Sequence, residues 1–173
     1  MQWLLFPMVG TTDETASTTR QRLSTLTKLK ELKLYDNLIP VIENCAQLTA
    51  LHTLDISSNR LTSLEVCELG SSLSSCVALR ELVLDGNGLS SLRGLQRCDK
   101  LEELRVADNA LSSLQGLRAA AGSLDTLDCT RNQLSSLEGL AEGCLRLHEL
   151  YAAENRLSSL EGLALKAPAL ETL

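Results

Sequence analysis

Residues 101–111 read Leu101-Glu102-Glu103-Leu104-Arg105-Val106-Ala107-Asp108-Asn109-Ala110-Leu111, which is the pattern L-x-x-L-x-L-x-x-N-x-L. Copies of this pattern begin at Leu29, Leu51, Leu79, Leu101, Leu124, Leu147 and, incompletely, at Leu170. The asparagines at its ninth position are Asn37, Asn59, Asn87, Asn109, Asn132 and Asn155, with spacings of 22, 28, 22, 23 and 23 residues. Six tandem copies of one pattern at such a period predict a repeat architecture.

Each copy predicts a short strand followed by a bend. If positions are counted from the first leucine of a copy, positions 4 and 6 lie on one face of the strand, because side chains alternate between faces. One coil cannot bury its own leucines, whereas stacked coils can. We therefore expect an α/β repeat solenoid, a horseshoe with a parallel concave sheet and a mostly extended or 3₁₀ convex side with little helix. The strands are expected to centre on Lys33, Asp55, Val83, Arg105, Asp128 and Tyr151.

Position 9 is expected to hold the bend together. An asparagine side chain has one carbonyl and two N–H donors, enough to satisfy backbone groups of the bend and of the neighbouring coil. We predict that the six asparagines form a buried structural ladder. A second column holds Gly94, Gly116, Gly139 and Gly162. This column is expected to need a positive φ or a close backbone approach.

The composition is typical of one folded domain with an aliphatic core. Apolar residues make up 44% and charged residues 22% of the 173 positions, both ordinary values. Aromatic residues make up only 2%, so the forty leucines must supply most of the core. The net charge of −6 argues against a nucleic-acid partner and against an anionic membrane surface. No apolar run approaches the ~20 residues of a membrane-spanning helix.

Six cysteines would suggest disulfides in a small secreted chain. Their positions favour another interpretation, because each takes a column that is apolar in other repeats: Cys45, Cys67, Cys76, Cys98, Cys129 and Cys144. We expect small buried thiols, with Cys76 and Cys98, in adjacent coils of one column, as the one pair close enough for a bridge. Unbridged thiols indicate a reducing compartment, so an intracellular protein is expected.

The chain divides into an N-terminal tail or cap, residues 1–22, and a repeat domain, residues 23–173, of about six to seven repeats with an incomplete last one. Residues 1–9, MQWLLFPMV, contain the only tryptophan and the only phenylalanine. They are interpreted as a disordered terminus or an apolar lid on the first coil. A signal peptide is the alternative, but no basic residue precedes the run and Pro7 interrupts it.

The second repeat is longer than the others by six residues, which fall within Glu65–Cys76. Insertions in repeat proteins map to loops, and some of them bind partners. We expect a turn of helix or a tolerated loop on the convex side.

After the asparagine the later repeats continue as L-x-x-L-x-G-L, for example from Leu111 to Leu117. This pattern and the 22-residue period resemble a class of leucine-rich repeat. They are similar to the repeats of the nuclear leucine-rich regulatory subunit of type 1 protein phosphatase and of the leucine-rich axonemal dynein light chain. The resemblance covers about Leu23 to Leu173. It implies a non-enzyme that binds a protein through its concave sheet. It also implies a cytoplasmic or cytoskeletal (axonemal) location, with the nucleus as an alternative.

No catalytic constellation is visible in the sequence. His52 and His148 both occupy position 2 but lie four repeats apart, roughly 19 Å at ~4.8 Å per strand, too far to share a metal ion. The sequence contains no G-x-S-x-G, no phosphate-binding glycine loop and no spaced pair of C-x-x-C motifs. We expect no enzyme activity, no cofactor and no metal. Three functions stay open: an interaction scaffold, a phosphatase-regulatory or dynein- and microtubule-associated subunit, and the recognition segment of a larger enzyme.

The outward strand positions predict where a partner binds. Positions 3, 5, 7 and 8 hold ten acidic and three basic side chains, a net charge of −7 against −6 for the whole chain. Charge of one sign over a concave sheet steers an oppositely charged partner, and tyrosine is a frequent interface anchor. We therefore expect a basic protein surface as the partner. The predicted partner-binding residues are Glu31, Lys33, Tyr35, Asp55, Glu81, Asp85, Glu103, Arg105, Asp128, Glu149 and Tyr151.

The C-terminal edge of the sheet is expected to be covered by further chain or by another subunit. Leu170 and Leu173 occupy core columns of a seventh repeat. Repeat arrays need polar caps, and an open strand edge is an aggregation hazard.

Overall fold

The structure is a computed structural model that describes residues 25–42, 45, 47–65, 73–138, 140, 144–161 and 163–173. Six short strands form one parallel sheet in chain order. They are β1 (Glu31–Lys33), β2 (Thr53–Asp55), β3 (Glu81–Val83), β4 (Glu103–Arg105), β5 (Thr126–Asp128) and β6 (Glu149–Tyr151). The predicted parallel solenoid is confirmed. The predicted N-terminal tail or cap and the signal-peptide alternative lie outside the described residues.

The strands centre on the leucine at position 4, one residue earlier than predicted. Pairing begins early, because the carbonyl of Lys30 accepts hydrogen bonds from both His52 N and Thr53 N at 2.8 and 3.0 Å. The extended conformation also ends early, because position 8 has a positive φ of 51–64°. The residues at that position are Asp36, Ser58, Gly86, Asp108, Arg131 and Glu154.

The core lies between the sheet and the return paths, and leucines fill it. Register places Leu54, Leu82 and Leu104 side by side on adjacent strands, each with no more than 1% of its surface exposed. The leucines of the return path, such as Leu111 and Leu114, are equally buried. The aliphatic core expected from the composition therefore forms.

The return paths contain little helix, as predicted. The described helical elements are two 3₁₀ segments, Leu73–Ser75 and Leu117–Ala119, and α1 (Leu163–Lys166). Residues 66–72 of the predicted insertion lie outside the described residues. The C-terminal end of the insertion is described: the 3₁₀ segment begins there with Leu73, which is buried, and Cys76 after the segment is buried as well.

The two described glycines of this column have both expected properties, a positive φ and a close approach to backbone atoms. Gly94 and Gly116 have φ of 117° and 113°. A Cβ atom at either residue would lie 2.7 Å from a carbonyl oxygen of the preceding repeat, that of Leu64 or Leu92. Gly139 and Gly162 lie outside the described residues.

The asparagines of neighbouring repeats are linked through backbone groups. Asn109 Nδ2 lies 3.1 Å from the carbonyl oxygen of Leu84 in the preceding repeat, and its Oδ1 accepts a hydrogen bond from Leu89 N at 3.0 Å. The same pair of contacts recurs at Asn59, Asn87, Asn132 and Asn155. Asn37 donates only within its own repeat among the described residues, to Leu34 and Tyr35.

The predicted burial of this ladder is wrong for most of its members. Asn132 alone is buried, at 7% exposure, while Asn59, Asn87, Asn109 and Asn155 are half-buried and Asn37 is exposed. The side chains of the other five asparagines are therefore partly accessible to solvent.

The five described cysteines are buried in the core: Cys45, Cys76, Cys98, Cys129 and Cys144. Cys76 and Cys98 are free thiols, so the bridge that their spacing allowed is not formed. Burial raises the pKa of the Cys45 thiol to about 11 and those of Cys76, Cys98 and Cys129 to about 12. These thiols are neutral at physiological pH. Cys67 lies outside the described residues.

Candidate binding face

The sheet surface opposite the core, which we call the concave face, brings the predicted site residues together in rows. The first in-register row is Glu31, Thr53, Glu81, Glu103, Thr126 and Glu149. The second is Lys33, Asp55, Val83, Arg105, Asp128 and Tyr151. Tyr35 and Asp85 follow β1 and β3 by two residues. All eleven predicted residues therefore belong to one surface, and their part in binding stays a prediction.

Each of the three basic side chains on this face already has an acidic partner. Lys33 Nζ lies 2.8 Å from a carboxylate oxygen of Glu31. Arg105 Nη2 lies 2.9 Å from Asp85 Oδ2, and Arg105 Nε donates to the same oxygen at 3.0 Å. The third base, Arg131, lies 3.2 Å from Asp108 and 3.3 Å from Glu154.

Six carboxylates of the face remain without an ion pair among the described residues. They are Asp36, Asp55, Glu81, Glu103, Asp128 and Glu149. Glu81 and Glu103 are register neighbours on β3 and β4, and Glu81 accepts a hydrogen bond from the Thr53 hydroxyl at 3.1 Å. The concave face therefore has a surplus of negative charge, with one of these six carboxylates in each repeat.

Burial and the surrounding negative charge both shift the ionisation of Glu103. Partial burial raises the pKa of its carboxyl, and the neighbouring charges of Glu81, Glu149 and Asp85 raise it further, against the opposing effect of Arg105. Burial also raises the pKa of Asp85, although the N–H of Ala107 and the guanidinium of Arg105 oppose that shift. A cation placed over β3 and β4 would relieve the repulsion between these carboxylates.

Two predicted binding carboxylates also have a structural role that sequence reasoning missed. Asp55 accepts hydrogen bonds from Ser57 N at 3.1 Å and from the Ser57 hydroxyl at 2.7 Å. Asp128 likewise accepts a hydrogen bond from Thr130 N at 3.0 Å. An aspartate two residues before a serine or threonine is the signal for such a local turn. These carboxylates hold the strand ends as well as contributing charge.

The tyrosines flank the acidic rows. Tyr35 and Tyr151 expose 50% and 40% of their surfaces. The hydroxyl of Tyr151 donates to Glu149 Oε2 at 3.1 Å, and this bond raises the pKa of Tyr151. Both rings are therefore exposed to a partner as amphipathic surfaces.

The two histidines have unrelated partners at the rim of the sheet. His52 Nδ1 lies 2.6 Å from the carbonyl oxygen of Ala50, whereas His148 Nδ1 lies 2.6 Å from Asp125 Oδ1. Within the described ranges, no three His, Cys, Asp or Glu side chains are grouped to hold a metal ion. No helix in the described part of the chain is both long and apolar enough to cross a membrane.

Comparison with known proteins agrees with this geometry. Residues 27–69 match the family model of leucine-rich repeats in two copies. No curated protein is detectably similar in sequence. A leucine-rich repeat protein from Leptospira interrogans shares 26% identity and a TM-score of 0.75, over 87% of this chain and 38% of its own.

Two proteins from Listeria monocytogenes have the same fold. An internalin shares 24% identity with a TM-score of 0.66, over 87% of this chain and 48% of its own. The functional domain of InlJ, which includes a cysteine ladder, shares 18% identity with a TM-score of 0.69, over 87% and 35%. This chain thus spans less than half the length of each of the three solved structures.

These comparisons do not show the narrower resemblance to the phosphatase regulatory subunit or to the dynein light chain, which stays a prediction. The sequence match and the structural matches point to the same repeat. Residues 27–69 match the leucine-rich repeat model by sequence, and the parallel solenoid is similar in fold to a solved leucine-rich repeat protein over 87% of the chain.

Proposed function

We propose that this protein is an interaction scaffold that binds a basic protein surface through its concave face. One observation carries the proposal: all three bases of the face are paired, which leaves six carboxylates without an ion pair among the described residues. A leucine-rich repeat surface generally mediates protein–protein contacts, and specificity comes from the side chains it presents. Lysine and arginine side chains of a partner would pair with these carboxylates.

The pKa shifts support a cation as the missing group. Partial burial raises the pKa of Glu103, and the negative charges of Glu81, Glu149 and Asp85 raise it further. Pairing with a partner's base would remove this repulsion, whereas a neutral partner would bury the carboxylates at a cost. Tyr35 and Tyr151, at opposite ends of the rows, would add apolar contact.

A matched pair of variants tests the proposal. Reversing Glu81, Glu103 and Asp128 to lysine changes the concave face by six charges. The control reverses Glu65, Asp99 and Glu161, which are exposed and lie outside the rows, and changes the net charge equally. The probe is a fluorescent lysine- and arginine-rich peptide, with association rates measured at several salt concentrations.

We expect the concave variant to associate more slowly and with a weaker salt dependence, because steering depends on local charge. The control variant should behave nearly as the parent does. Equal decreases in association rate in both variants would show that the net charge of the protein, and not the charge of the concave face, controls binding. Parent-like rates in the concave variant would exclude the concave face as the binding site.

We infer a binding role without catalysis and an intracellular location. The burial of the described cysteines in columns that are apolar in other repeats indicates structural thiols, which supports a reducing compartment. Expression of a tagged full chain followed by fractionation would test the location. Assaying the chain for hydrolase and transferase activities would test the absence of catalysis.

We also propose that another protein segment covers the C-terminal edge of the sheet. Thr172 already pairs with Glu149 in parallel, and Leu150 N donates to the Thr172 carbonyl at 3.0 Å. Leu160, Leu165 and Leu173 near this edge expose 48%, 87% and 61% of their surfaces. Sedimentation of the isolated chain tests the proposal, since an uncovered edge should promote association. A monomer that stays soluble at high concentration would contradict it.

A further inference from the structure

The return paths of the third and fourth repeats differ in charge from those of the other repeats. Residues 90–100 contain three bases and one acid, and residues 112–123 contain one base and no acid. In the return paths of the other four repeats the acids equal or outnumber the bases. Position 15 is Arg93 in the third repeat and Gln115 in the fourth, whereas the other four repeats have a glutamate there: Glu43, Glu65, Glu138 and Glu161. The convex side of the array therefore reverses its charge near its middle.

Four exposed bases make up this region, which we call the basic patch: Arg93, Arg97, Lys100 and Arg118. None of them has an ion pair among the described residues, whereas the bases of the concave face are all paired. Within these two return paths the one opposing charge is the exposed carboxylate of Asp99. The basic patch therefore presents a surplus of positive charge to solvent.

Backbone packing places the two return paths side by side. Gly116 of the fourth repeat packs against the third, because a Cβ atom there would lie 3.2 Å from the backbone nitrogen of Arg93. Arg118 follows two residues later at position 18, which is the position of Gln96 in the preceding coil. Neighbouring coils are separated by roughly one strand spacing, ~4.8 Å. One short ligand can therefore contact the bases of both paths.

An open pocket of about 360 Å³ lies within the patch, lined by Val77, Gln96, Arg97, Asp99 and Lys100. Gln96 Oε1 accepts a hydrogen bond from Gly94 N at 3.0 Å, which leaves the NH₂ group of the Gln96 side chain as a donor for a ligand. Val77 exposes 38% of its surface and adds an apolar contact. The pocket thus combines two cations, an amide donor and an apolar side chain with one carboxylate, a combination that suits an acidic group beside an apolar one.

We propose that the basic patch docks an acidic segment of a partner protein, with an apolar side chain of that segment in the pocket. Guanidinium groups bind carboxylates through paired N–H donors. A nucleic acid fits this surface less well, because its continuous row of phosphates would extend over Glu65 and Glu138, the position-15 acids of the flanking coils. A short acidic protein segment can confine its charges to the two return paths.

The probe for this proposal is a fluorescent glutamate-rich peptide with one central leucine, and anisotropy titration of the full chain measures its dissociation constant. The double variant Arg97→Glu, Lys100→Glu loses two attractions and gains two repulsions at exposed positions, so it should bind about tenfold more weakly. The matched control Arg60→Glu, Arg156→Glu changes two exposed bases outside the patch and alters the net charge equally. The control should bind nearly as tightly as the parent.

A third variant tests the same site in the opposite direction. Asp99→Asn removes the one carboxylate of the two return paths and should tighten binding severalfold, a gain that misfolding cannot imitate. Added salt should weaken the binding of the parent and of Asp99→Asn more than that of the charge-reversed double variant, because salt screens the exposed charges.

Four results would overturn the proposal. The parent could fail to bind the peptide even at low ionic strength. The two charge-reversed variants could bind equally weakly, which would assign the effect to net charge. A single-stranded oligonucleotide of the same charge could bind more tightly than the peptide and depend on Arg97 and Lys100, which would make the partner a nucleic acid. The parent could also self-associate in sedimentation, with the double variant remaining monomeric, which would make the occupant the acidic concave face of a second copy.

This inference goes beyond the proposed function, because it concerns the opposite side of the array and a ligand of opposite charge. Reversing Glu81, Glu103 and Asp128 leaves the basic patch unchanged, and reversing Arg97 and Lys100 leaves the concave face unchanged. The acidic and basic peptides therefore test the two surfaces separately.

Discussion

Asn109 makes four hydrogen bonds, two with its own repeat and two with the repeat before it. Replacing it with alanine leaves the carbonyl of Leu84 and the N–H of Leu89 without these partners. Because unpaired buried backbone groups are costly, we expect Asn109→Ala to lower the free energy of unfolding by about 1–3 kcal/mol in urea denaturation.

Asn37→Ala is the matched control for that variant. Asn37 is exposed and bonds only Leu34 and Tyr35 of its own repeat among the described residues. Its replacement should cost clearly less. Equal losses in the two variants would show that the contacts between repeats are not what the asparagine contributes.

Sequence reasoning at the residue scale identified the asparagines and the acidic face but missed how some charges are used. The spacing of the asparagines is enough to infer the link between repeats, because one residue type recurs at one position. The repeat spacing does not reveal that Asp85 accepts hydrogen bonds from the Arg105 guanidinium and from the N–H of Ala107. Those contacts depend on side-chain conformations that only the neighbouring strand determines. Thus Asp85 contributes less free negative charge than its position suggested.

At the scale of elements, β3 and β4 carry a like-charge pair in register. Glu81 and Glu103 face each other without an ion pair among the described residues. Like charges directly opposite destabilise a sheet, so Glu103→Gln should raise the free energy of unfolding by roughly 0.2–1 kcal/mol. The gain should shrink at acidic pH. Burial and neighbouring acids raise the pKa of Glu103 in the folded parent, so ionisation of this carboxyl lowers the stability of the parent as the pH rises through that pKa. Below that pKa the carboxyl is protonated, and the parent loses its disadvantage relative to the variant.

The comparison for this variant is Glu31→Gln. The Glu31 carboxylate lies 2.8 Å from Lys33 Nζ, so removing its charge removes an attraction and should not stabilise the sheet. Urea denaturation at two pH values measures both variants. A stabilised Glu31→Gln and an unchanged Glu103→Gln would contradict the proposed repulsion.

The strand elements themselves were predictable to within one residue. Alternating leucines at positions 4 and 6 give the inward face of each strand, and the repeat period gives their number. The strands centre one residue earlier than predicted because the carbonyl at position 2, as in Lys30, accepts two hydrogen bonds from the next repeat. The positive φ at Arg131 and Glu154 was not predictable either, because those residue types rarely adopt it.

For the whole molecule, the buried thiols predict a loss of stability in alkali. In the unfolded chain a thiol ionises near its ordinary pKa of 9.0, whereas burial holds Cys45 near 11 and Cys76, Cys98 and Cys129 near 12. The folded pKa is raised, so this stability is complete below pH 9 and is lost as the pH rises towards the folded values. Each thiol can contribute at most about 1.4 kcal/mol per pH unit.

Urea denaturation between pH 8 and 10 under reducing conditions measures this loss. The variant Cys98→Ala, Cys129→Ala removes two of the thiols, so its stability should fall less steeply with pH than that of the parent. Its lower starting stability, caused by the lost side-chain volume, does not affect the comparison of slopes. Equal slopes would contradict the assigned thiol pKa shifts.

From the second repeat onward, the asparagine takes two of its partners from the repeat before it, and this has a consequence for how such a chain can change in length. Leu89 N donates to Asn109, and Leu111 N donates in the same way to Asn132. If the single repeat 101–123 were deleted, Asn132 would meet Leu89 and Leu84 in place of Leu111 and Val106. Every junction would again have its donor, its acceptor and its leucines, because contacts reach only one repeat away. Gene duplication or loss in whole repeats can therefore lengthen or shorten the recognition surface without a new solution for the core.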